Sequence, residues 1–239
     1  MPIIDNVDIP FDPAWQSIAI SVSGGADSAL LAYLVCSNVT NQTVYIVTHK
    51  RMWKTRPWQS CNSDNVFAWI KKQFPHIKFE RHTNFIAPDI EYGNMGAAII
   101  DEYSKLVSGD NAQQRSYAEY ICHYFNIDAY YNAVTHNPRD IELGGMIERN
   151  VEPTLNNQHL VKMKHMNTWA LHPFRFIAKD WIVKQYKDHN IMDLFYKTRS
   201  CEGEFPGLDY TTYEYGSDVP ECGECFWCKE RAWAVACQD

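Results

Sequence analysis

Long hydrophobic runs are missing from this sequence. None approaches the roughly 20 residues that cross a bilayer, and we therefore expect no contact with a membrane. The first residues carry neither a basic region nor a long apolar segment, so we expect no secretory signal and a cytoplasmic protein. The chain also lacks internal repeats and low-complexity tracts, which excludes repeat architectures.

Net positive charge is missing as well: the 239 residues carry a formal charge of −7. A large nucleic-acid footprint needs a basic face that releases counterions, so this charge argues against a nucleic-acid partner. One tight basic cluster is present, at Lys50, Arg51, Lys54 and Arg56, and a solvated loop explains it as well as a phosphate contact does. Hydrophobic residues make up 46% of the chain, enough for the core of one large domain with a small appendage.

Strand-like and helix-like segments alternate along the chain. Residues 43–48 are β-branched and aromatic, as in a buried strand, whereas residues 62–74 repeat their apolar side chains at helical spacing. The alternation predicts an α/β fold with a doubly wound, mostly parallel sheet covered by helices on both faces. Residues 151–167 are polar and are expected to be irregular. The other predicted strands are 17–22, 77–81 and 129–134, and the other predicted helices are 26–37, 113–125 and 179–189.

The turn after the first predicted strand has the composition of an anion site. Residues 21–28 read Ser-Val-Ser-Gly-Gly-Ala-Asp-Ser and lead into a helix, whose first N–H groups and dipole favour an anion. The two glycines allow a phosphate to approach the backbone closely. Asp27 would repel a phosphate unless a Mg²⁺ ion bridged the two, so we predict that Asp27 binds the metal. A turn that merely caps a helix is the alternative. The candidate ligands are Ser21, Ser23, Gly24, Gly25, Asp27 and Ser28.

Polar side chains follow the predicted strand 129–134, in Thr-His-Asn-Pro-Arg-Asp at 135–140. Ligands bind beyond the carboxyl ends of parallel strands, so we expect this segment, the loop at 23–28 and residues 48–54 around one cleft. His136, Arg139 and Asp140 suit a polar heterocycle or an adenylate, although Asp140 can equally cap the next helix.

Lys179 begins the predicted helix 179–189. A cation is unfavourable at this end of a helix, so we expect Lys179 to serve a phosphate, with an exposed lysine as the alternative.

Three of the eight cysteines stand at Cys222, Cys225 and Cys228. Two overlapping Cys-x-x-Cys units in a chain without a secretory signal indicate a metal site rather than a disulfide framework. Tetrahedral Zn²⁺ needs a fourth ligand, for which Cys201 is the first candidate, Cys237 the second and a nearby histidine the third. A redox-active Cys-x-x-Cys is the alternative.

Three motifs carry a resemblance to a known family. Ser-Gly-Gly-Ala-Asp-Ser lacks the Gly-Lys-Ser/Thr of a Walker A loop and resembles the signature of the PP-loop ATP pyrophosphatases. The His-Pro-Phe…Lys-Asp-Trp-Ile segment and the Ser-Cys…Cys-Gly-Glu-Cys-x-x-Cys-x-x-x-Arg tail follow it. This order, over residues 17–236, resembles the 7-cyano-7-deazaguanine synthase family of the queuosine pathway.

The resemblance implies an ATP-dependent carbon–nitrogen ligase with ATP, Mg²⁺ and Zn²⁺. It would adenylate 7-carboxy-7-deazaguanine, form the amide with ammonia and convert the amide to the nitrile with a second ATP. A PP-loop domain at 1–190 and a zinc-binding subdomain at 191–239 are implied. So are catalytic roles for Asp27 and Lys179, deazapurine contacts from the 135–140 segment, and zinc ligation by Cys201, Cys222, Cys225 and Cys228.

The sequence departs from that family at three places. Asp110 stands where the family has the arginine of Gly-Arg-Asn, the segment 135–140 lacks the family's aromatic residue, and residues 202–221 form a longer insertion. The alternatives are therefore a PP-loop enzyme that adenylates a tRNA base or another small acid, and a non-catalytic PP-loop and zinc module. No N-terminal cysteine supplies a glutaminase, so ammonia would be free or come from a partner. The sequence does not fix the oligomeric state, and a homodimer is one of the options.

Overall fold

A mixed sheet of six strands, in the order β3-β2-β1-β4-β6-β5, organises the computed structural model. The structure describes residues 7–51, 56–86, 110–138, 160–163, 166–202 and 221–238. The strands are β1 (Ser17–Ser21), β2 (Thr43–Arg51), β3 (Lys78–Ile86), β4 (Ala129–Tyr131), β5 (Leu160–Lys162) and β6 (Trp169–Leu171). The helices are α1 (Ala26–Cys36), α2 (Arg56–Gln73), α3 (Asp110–Tyr124), α4 (Lys179–Asp188), α5 (Met192–Phe195) and α6 (Phe226–Ala236).

Helices cover both faces of the sheet. Successive side chains of a strand point to opposite faces, and in β1 Ile18 and Ile20 belong to the larger core, with residues of α1, α2 and α4. Ala19 belongs to a second core with residues of α3. β1, β2, β3, β4 and β6 run parallel, and β5 pairs antiparallel with β6. The α/β fold with a doubly wound, mostly parallel sheet is therefore confirmed.

The strand order places the loop after β1 at the topological switch point. The chain moves from β1 outward to β2 and β3, and then returns to the other side of β1 as β4. At such a point the connections leave two neighbouring strands in opposite directions, which opens a crevice at their carboxyl ends. The two predicted polar segments at 23–28 and 135–140 follow β1 and β4, the strands that border this crevice.

The predicted strands and helices are confirmed, with ends that differ by up to six residues. Two expectations were wrong in detail. Residues 151–167 are not irregular throughout, because β5 lies at 160–162, an edge strand of three residues that is too short to show a strand period in the sequence. Residues 48–51 are not a loop beyond β2, because pairing with β3 continues to Arg51.

The C-terminal segment packs onto the rest of the molecule. Ala234 of α6 and Leu194 of α5 lie in the same core as the side chains of β1. No helix among the described residues is long and apolar enough to cross a membrane.

Candidate functional site

Gly24 gives the loop after β1 its shape. Its φ of +88° lies in the left-handed region, and a Cβ built on it would stand 2.6 Å from Asn62 Cβ and 2.6 Å from the backbone nitrogen of Ser63. The backbone therefore passes directly against α2. Gly25 caps α1 with an ordinary φ of −80°, and a Cβ built on it would have Ser200 Oγ and Ser23 Oγ as its nearest atoms, both at 3.5 Å. Of the two glycines, Gly24 is the one whose backbone requires glycine.

Two serine hydroxyls close the loop internally. The Ser23 N–H donates to Ser28 Oγ (3.2 Å), and the Gly25 N–H donates to Ser23 Oγ (3.3 Å). Ser28 Oγ in turn donates to the Gly25 carbonyl (3.1 Å). Two of the N–H groups expected to face an anion thus have hydroxyl partners, which an anion can replace because a hydroxyl rotates freely. Ser21, the last residue of β1, lies outside this turn.

The base of the loop is anchored to β2 and α2. The Val22 carbonyl lies 3.0 Å from Thr48 Oγ1 and 2.8 Å from Ser63 Oγ, and both hydroxyls are buried. The Val22 N–H donates to the Val47 carbonyl at 2.8 Å. These bonds hold the loop rigidly at the end of the sheet.

Lys179 is buried beside the loop. Its side chain is 2% exposed, and Nζ lies 3.0 Å from Asp27 Oδ2, so the exposed-lysine alternative is wrong. The side chain of Asp27, at the start of α1, is 20% exposed, although its Oδ1 atom is buried. The structure thus brings the two predicted catalytic residues together at the amino ends of α4 and α1.

Glu230 completes this charged cluster and was missed by the sequence analysis. Its side chain is fully buried, and Oε2 lies 3.2 Å from Lys179 Nζ. One ammonium therefore sits between two carboxylates, a buried arrangement that is stable only when the charges are paired. A sequence signal existed, since Glu230 is the single acidic residue of the otherwise largely apolar helix α6.

The segment after β4 runs beside the start of α4. The His136 N–H donates to the carbonyl of Ile177 at 2.8 Å, two residues before Lys179. Thr135 and Asn137 are buried, whereas His136 is partly exposed. His136 therefore lies close to the amino end of α4. The other two predicted substrate contacts, Arg139 and Asp140, lie outside the described residues.

Four cysteines converge at the C-terminal end of the chain. The Sγ atoms of Cys201, Cys222, Cys225 and Cys228 all lie within 4.8 Å of one another, with Cys222 and Cys228 4.0 Å apart. A tetrahedral ion with Zn–S bonds of about 2.3 Å separates its sulfurs by about 3.8 Å. Cys237 is exposed at the end of α6 and does not join the group. The residues present therefore fit a single ion, with Cys201 as the fourth ligand.

The thiol of Cys222 has a lowered pKa, which favours the thiolate form that binds a metal. Burial by itself raises its pKa, but N–H donors from the backbone of Cys225 and Glu224 outweigh burial and lower the pKa to about 7. Because a metal ligand must be a thiolate, these donors favour ligation by Cys222 at neutral pH, whereas burial and the neighbouring thiols raise the pKa of Cys228.

The cysteine cluster is joined to the loop by a short stretch of chain. The Arg199 N–H donates to the Gly24 carbonyl at 3.0 Å, two residues before Cys201. On the other side, Arg231 donates to Thr198 Oγ1 (2.8 Å) and to the Phe195 carbonyl (3.0 Å). The arginine of the tail motif therefore fastens α6 to the segment that carries Cys201.

No protein-family model matches the chain. A search of curated proteins finds no match either. Among solved structures, the U34-tRNA thiolase NcsA from Methanococcus maripaludis, with its 4Fe-4S cluster, aligns at 14% identity and a TM-score of 0.46, covering 81% of this chain and 61% of the thiolase. The phosphate complex of phosphoadenylyl-sulfate reductase from Candida auris aligns at 8% identity and a TM-score of 0.37, with 79% and 81% covered. Neither likeness is close enough to assign a function.

Proposed function

We propose that this protein is a PP-loop ATP pyrophosphatase that binds ATP and Mg²⁺ at residues 21–28 and releases pyrophosphate. One observation carries the proposal. A loop with the Ser-Gly-Gly-Ala-Asp-Ser sequence lies at the switch point of a parallel sheet, and a buried lysine, Lys179, lies 3.0 Å from its aspartate. Such a site combines N–H donors, a carboxylate for a metal and a cation for phosphate charge.

The geometry of the loop supports a role for each of its polar residues. Ser23, Gly25 and Ser28 would bind phosphate oxygens, since their hydroxyls and N–H groups already form the inner surface of the turn. Asp27, whose side chain is partly exposed, would hold Mg²⁺, which prefers carboxylate and phosphate oxygens. Lys179 would neutralise the charge that grows on the phosphates as the α–β bond breaks.

For the acceptor we propose 7-carboxy-7-deazaguanine, with ammonia as the nucleophile. ATP would transfer AMP to the carboxylate, ammonia would displace AMP to give the amide, and a second ATP would activate the amide oxygen, so that loss of AMP leaves the nitrile. The order of the three sequence motifs supports this choice. His136 and Arg139 would bind the acid, and Asp140 would accept from the amidine-like edge of the base.

We propose Zn²⁺ for the cysteine cluster. Four thiolates leave no open position, which is typical of a structural zinc site. An iron–sulfur cubane also binds four cysteines, but each thiolate then ligates a different iron, and the sulfurs lie farther apart than on a single ion. The compact group favours the single ion.

The test supplies ATP, Mg²⁺, ammonia and 7-carboxy-7-deazaguanine, and follows pyrophosphate release together with product mass. The expected product is the nitrile. An amide that accumulates would mean that the chain catalyses only the first half of the reaction.

Pyrophosphate release with another acid or with tRNA, but not with the deazapurine, would favour the second candidate, a PP-loop enzyme with a different acceptor. The departures at Asp110 and at 135–140 make that candidate worth including. Release of orthophosphate, or no nucleotide binding, would overturn the proposal.

A further inference from the structure

Glu230 presents a problem that the proposed reaction does not solve. Its side chain is fully buried, and a buried carboxylate is costly unless it is paired. Its cation is Lys179, which Asp27 already approaches at 3.0 Å. An ion pair between Lys179 and Asp27 alone would not require a second buried carboxylate, whose burial adds a desolvation cost.

Docking of α6 does not explain Glu230. Arg231, the next residue, makes two hydrogen bonds to the segment before Cys201, and its guanidinium lies 3.8 Å from the centre of the Phe195 ring. Ala234 adds apolar contact with the main core. The helix therefore has anchors besides Glu230.

The two carboxylates around Lys179 differ in access. Asp27 is 20% exposed and belongs to the loop, whereas Glu230 is 0% exposed and belongs to α6. A divalent cation that arrives from solvent can therefore reach Asp27. Once Asp27 binds the cation, it is lost as a partner for Lys179, and the buried ammonium needs another counter-charge.

We propose that Glu230 is a positioning residue of the nucleotide site. It holds the Lys179 ammonium in place and supplies its counter-charge, so that Asp27 can exchange Lys179 for Mg²⁺ when the nucleotide binds. This inference rests on the proposed function, because it assumes that Asp27 holds the metal. It adds that the metal-binding step depends on a residue that touches neither metal nor nucleotide.

The experiment measures metal binding rather than turnover. Wild type and Glu230→Gln are saturated with α,β-methylene-ATP, which cannot be cleaved between the α- and β-phosphates, and titrated with Mn²⁺ by electron paramagnetic resonance. Glutamine keeps the size of the side chain and removes its charge. We expect the Mn²⁺ dissociation constant to rise about tenfold, the lower end of the range for a lost hydrogen bond to a charged group. The metal-free affinity for the analogue should not fall.

Two comparisons separate this role from simple loss of negative charge. Glu119→Gln, in α3 on the opposite face of the sheet, makes the same change in net charge and should leave Mn²⁺ binding unaltered. In a Lys179→Met background, Glu230→Gln should have no further effect, because Glu230 acts through that lysine. A full tenfold loss that persists without Lys179 would overturn the inference.

The remaining outcomes are also decisive. Wild-type Mn²⁺ affinity in Glu230→Gln overturns this inference and leaves the proposed function standing, whereas absence of Mn²⁺–nucleotide binding in the wild type overturns both. If Glu230→Gln fails to fold, Glu230→Asp keeps the charge and withdraws it from Lys179. It should then weaken Mn²⁺ binding at unchanged zinc content, and unchanged Mn²⁺ affinity in that variant would overturn the inference.

Discussion

The ammonium of Lys179 lies 3.0 Å from the carboxylate of Asp27, so the first turns of α4 and α1 meet through an ion pair. A cation at the start of a helix opposes the helix dipole, and here the carboxylate offsets that cost. Under the proposed function, Mg²⁺ and Lys179 would compete for the same carboxylate when the nucleotide binds.

Asp27→Asn keeps the size of the side chain and removes its charge. We expect at least about a 10²-fold loss of pyrophosphate release, the scale of losing one electrostatic stabiliser, with the fold retained because Glu230 still pairs with Lys179. Initial rates and circular dichroism measure the two effects. Asp188→Asn, at an exposed ion pair of α4, is the matched control and should behave as wild type. Near-normal rates in Asp27→Asn would remove Asp27 from the mechanism.

Cys225→Ser tests the metal cluster against a cysteine outside it. We expect the variant to lose most of its zinc and to melt at lower temperature, because structural zinc contributes folding free energy directly. Cys237→Ser, at the exposed end of α6, should keep both zinc and stability. Metal analysis of freshly purified, reduced protein, combined with thermal melts, decides the matter. Wild-type protein without zinc would contradict the assignment of the ion.

Gly24→Ala tests the shape of the loop. The new Cβ would stand 2.6 Å from atoms of Asn62 and Ser63, at a φ of +88° that L-residues disfavour. We expect a loss of about 2–4 kcal/mol in the free energy of unfolding, from left-handed strain together with overpacking. Gly25→Ala meets its nearest atom at 3.5 Å and should cost much less, although it can still impair phosphate binding. Urea denaturation of both variants gives the comparison, and equal losses would contradict it.

His172 should make the protein less stable in mild acid. Burial, with the nearby Arg175 cation, lowers its pKa from 6.5 to about 4. Between these values the unfolded chain binds a proton that the folded chain does not, so the free energy of unfolding falls as pH falls through this window, by up to about 3 kcal/mol.

The measurement is urea denaturation at pH 7.5 and pH 5. His172→Gln should lose less stability over this interval than wild type, because the unfolded chain no longer gains a proton at this position. The exposed His76 serves as the control, and His76→Gln should keep the wild-type difference. Identical pH dependence in His172→Gln and wild type would show that His172 is not the group responsible.

Local sequence was sufficient for the four strands and four helices that were predicted and for the loop after β1, whereas β5, β6, α5 and α6 were not predicted. Periodicity along a segment depends on which face is buried, and a glycine pair between a strand and a helix dictates a tight turn whatever surrounds it. The three residues of β5 are too few to show a period in the sequence. This strand forms because β6 offers it an edge with which to pair.

In the cysteine cluster, the spacing of cysteines along the sequence predicts three of the ligands but not the fourth. The spacing of Cys222, Cys225 and Cys228 predicts three ligands by itself, but Cys201 and Cys237 were both open as the fourth. The structure decides for Cys201, because α6 begins between the ligands and carries the chain away from them. At 1.5 Å per residue, Cys237 ends roughly 13 Å along the helix axis from Cys228.

The charged cluster needed the tertiary structure most. The sequence alone made Asp27 and Lys179 candidate functional residues from their places at the starts of helices, but it gave no sign of their contact and did not include Glu230. Their contact depends on how α1, α4 and α6 pack, and packing of helices far apart in the chain is decided by the whole apolar core. The chemistry of a loop or a cysteine motif can be read from adjacent residues. The partner of a buried charge, in contrast, depends on how the core packs distant segments of the chain together.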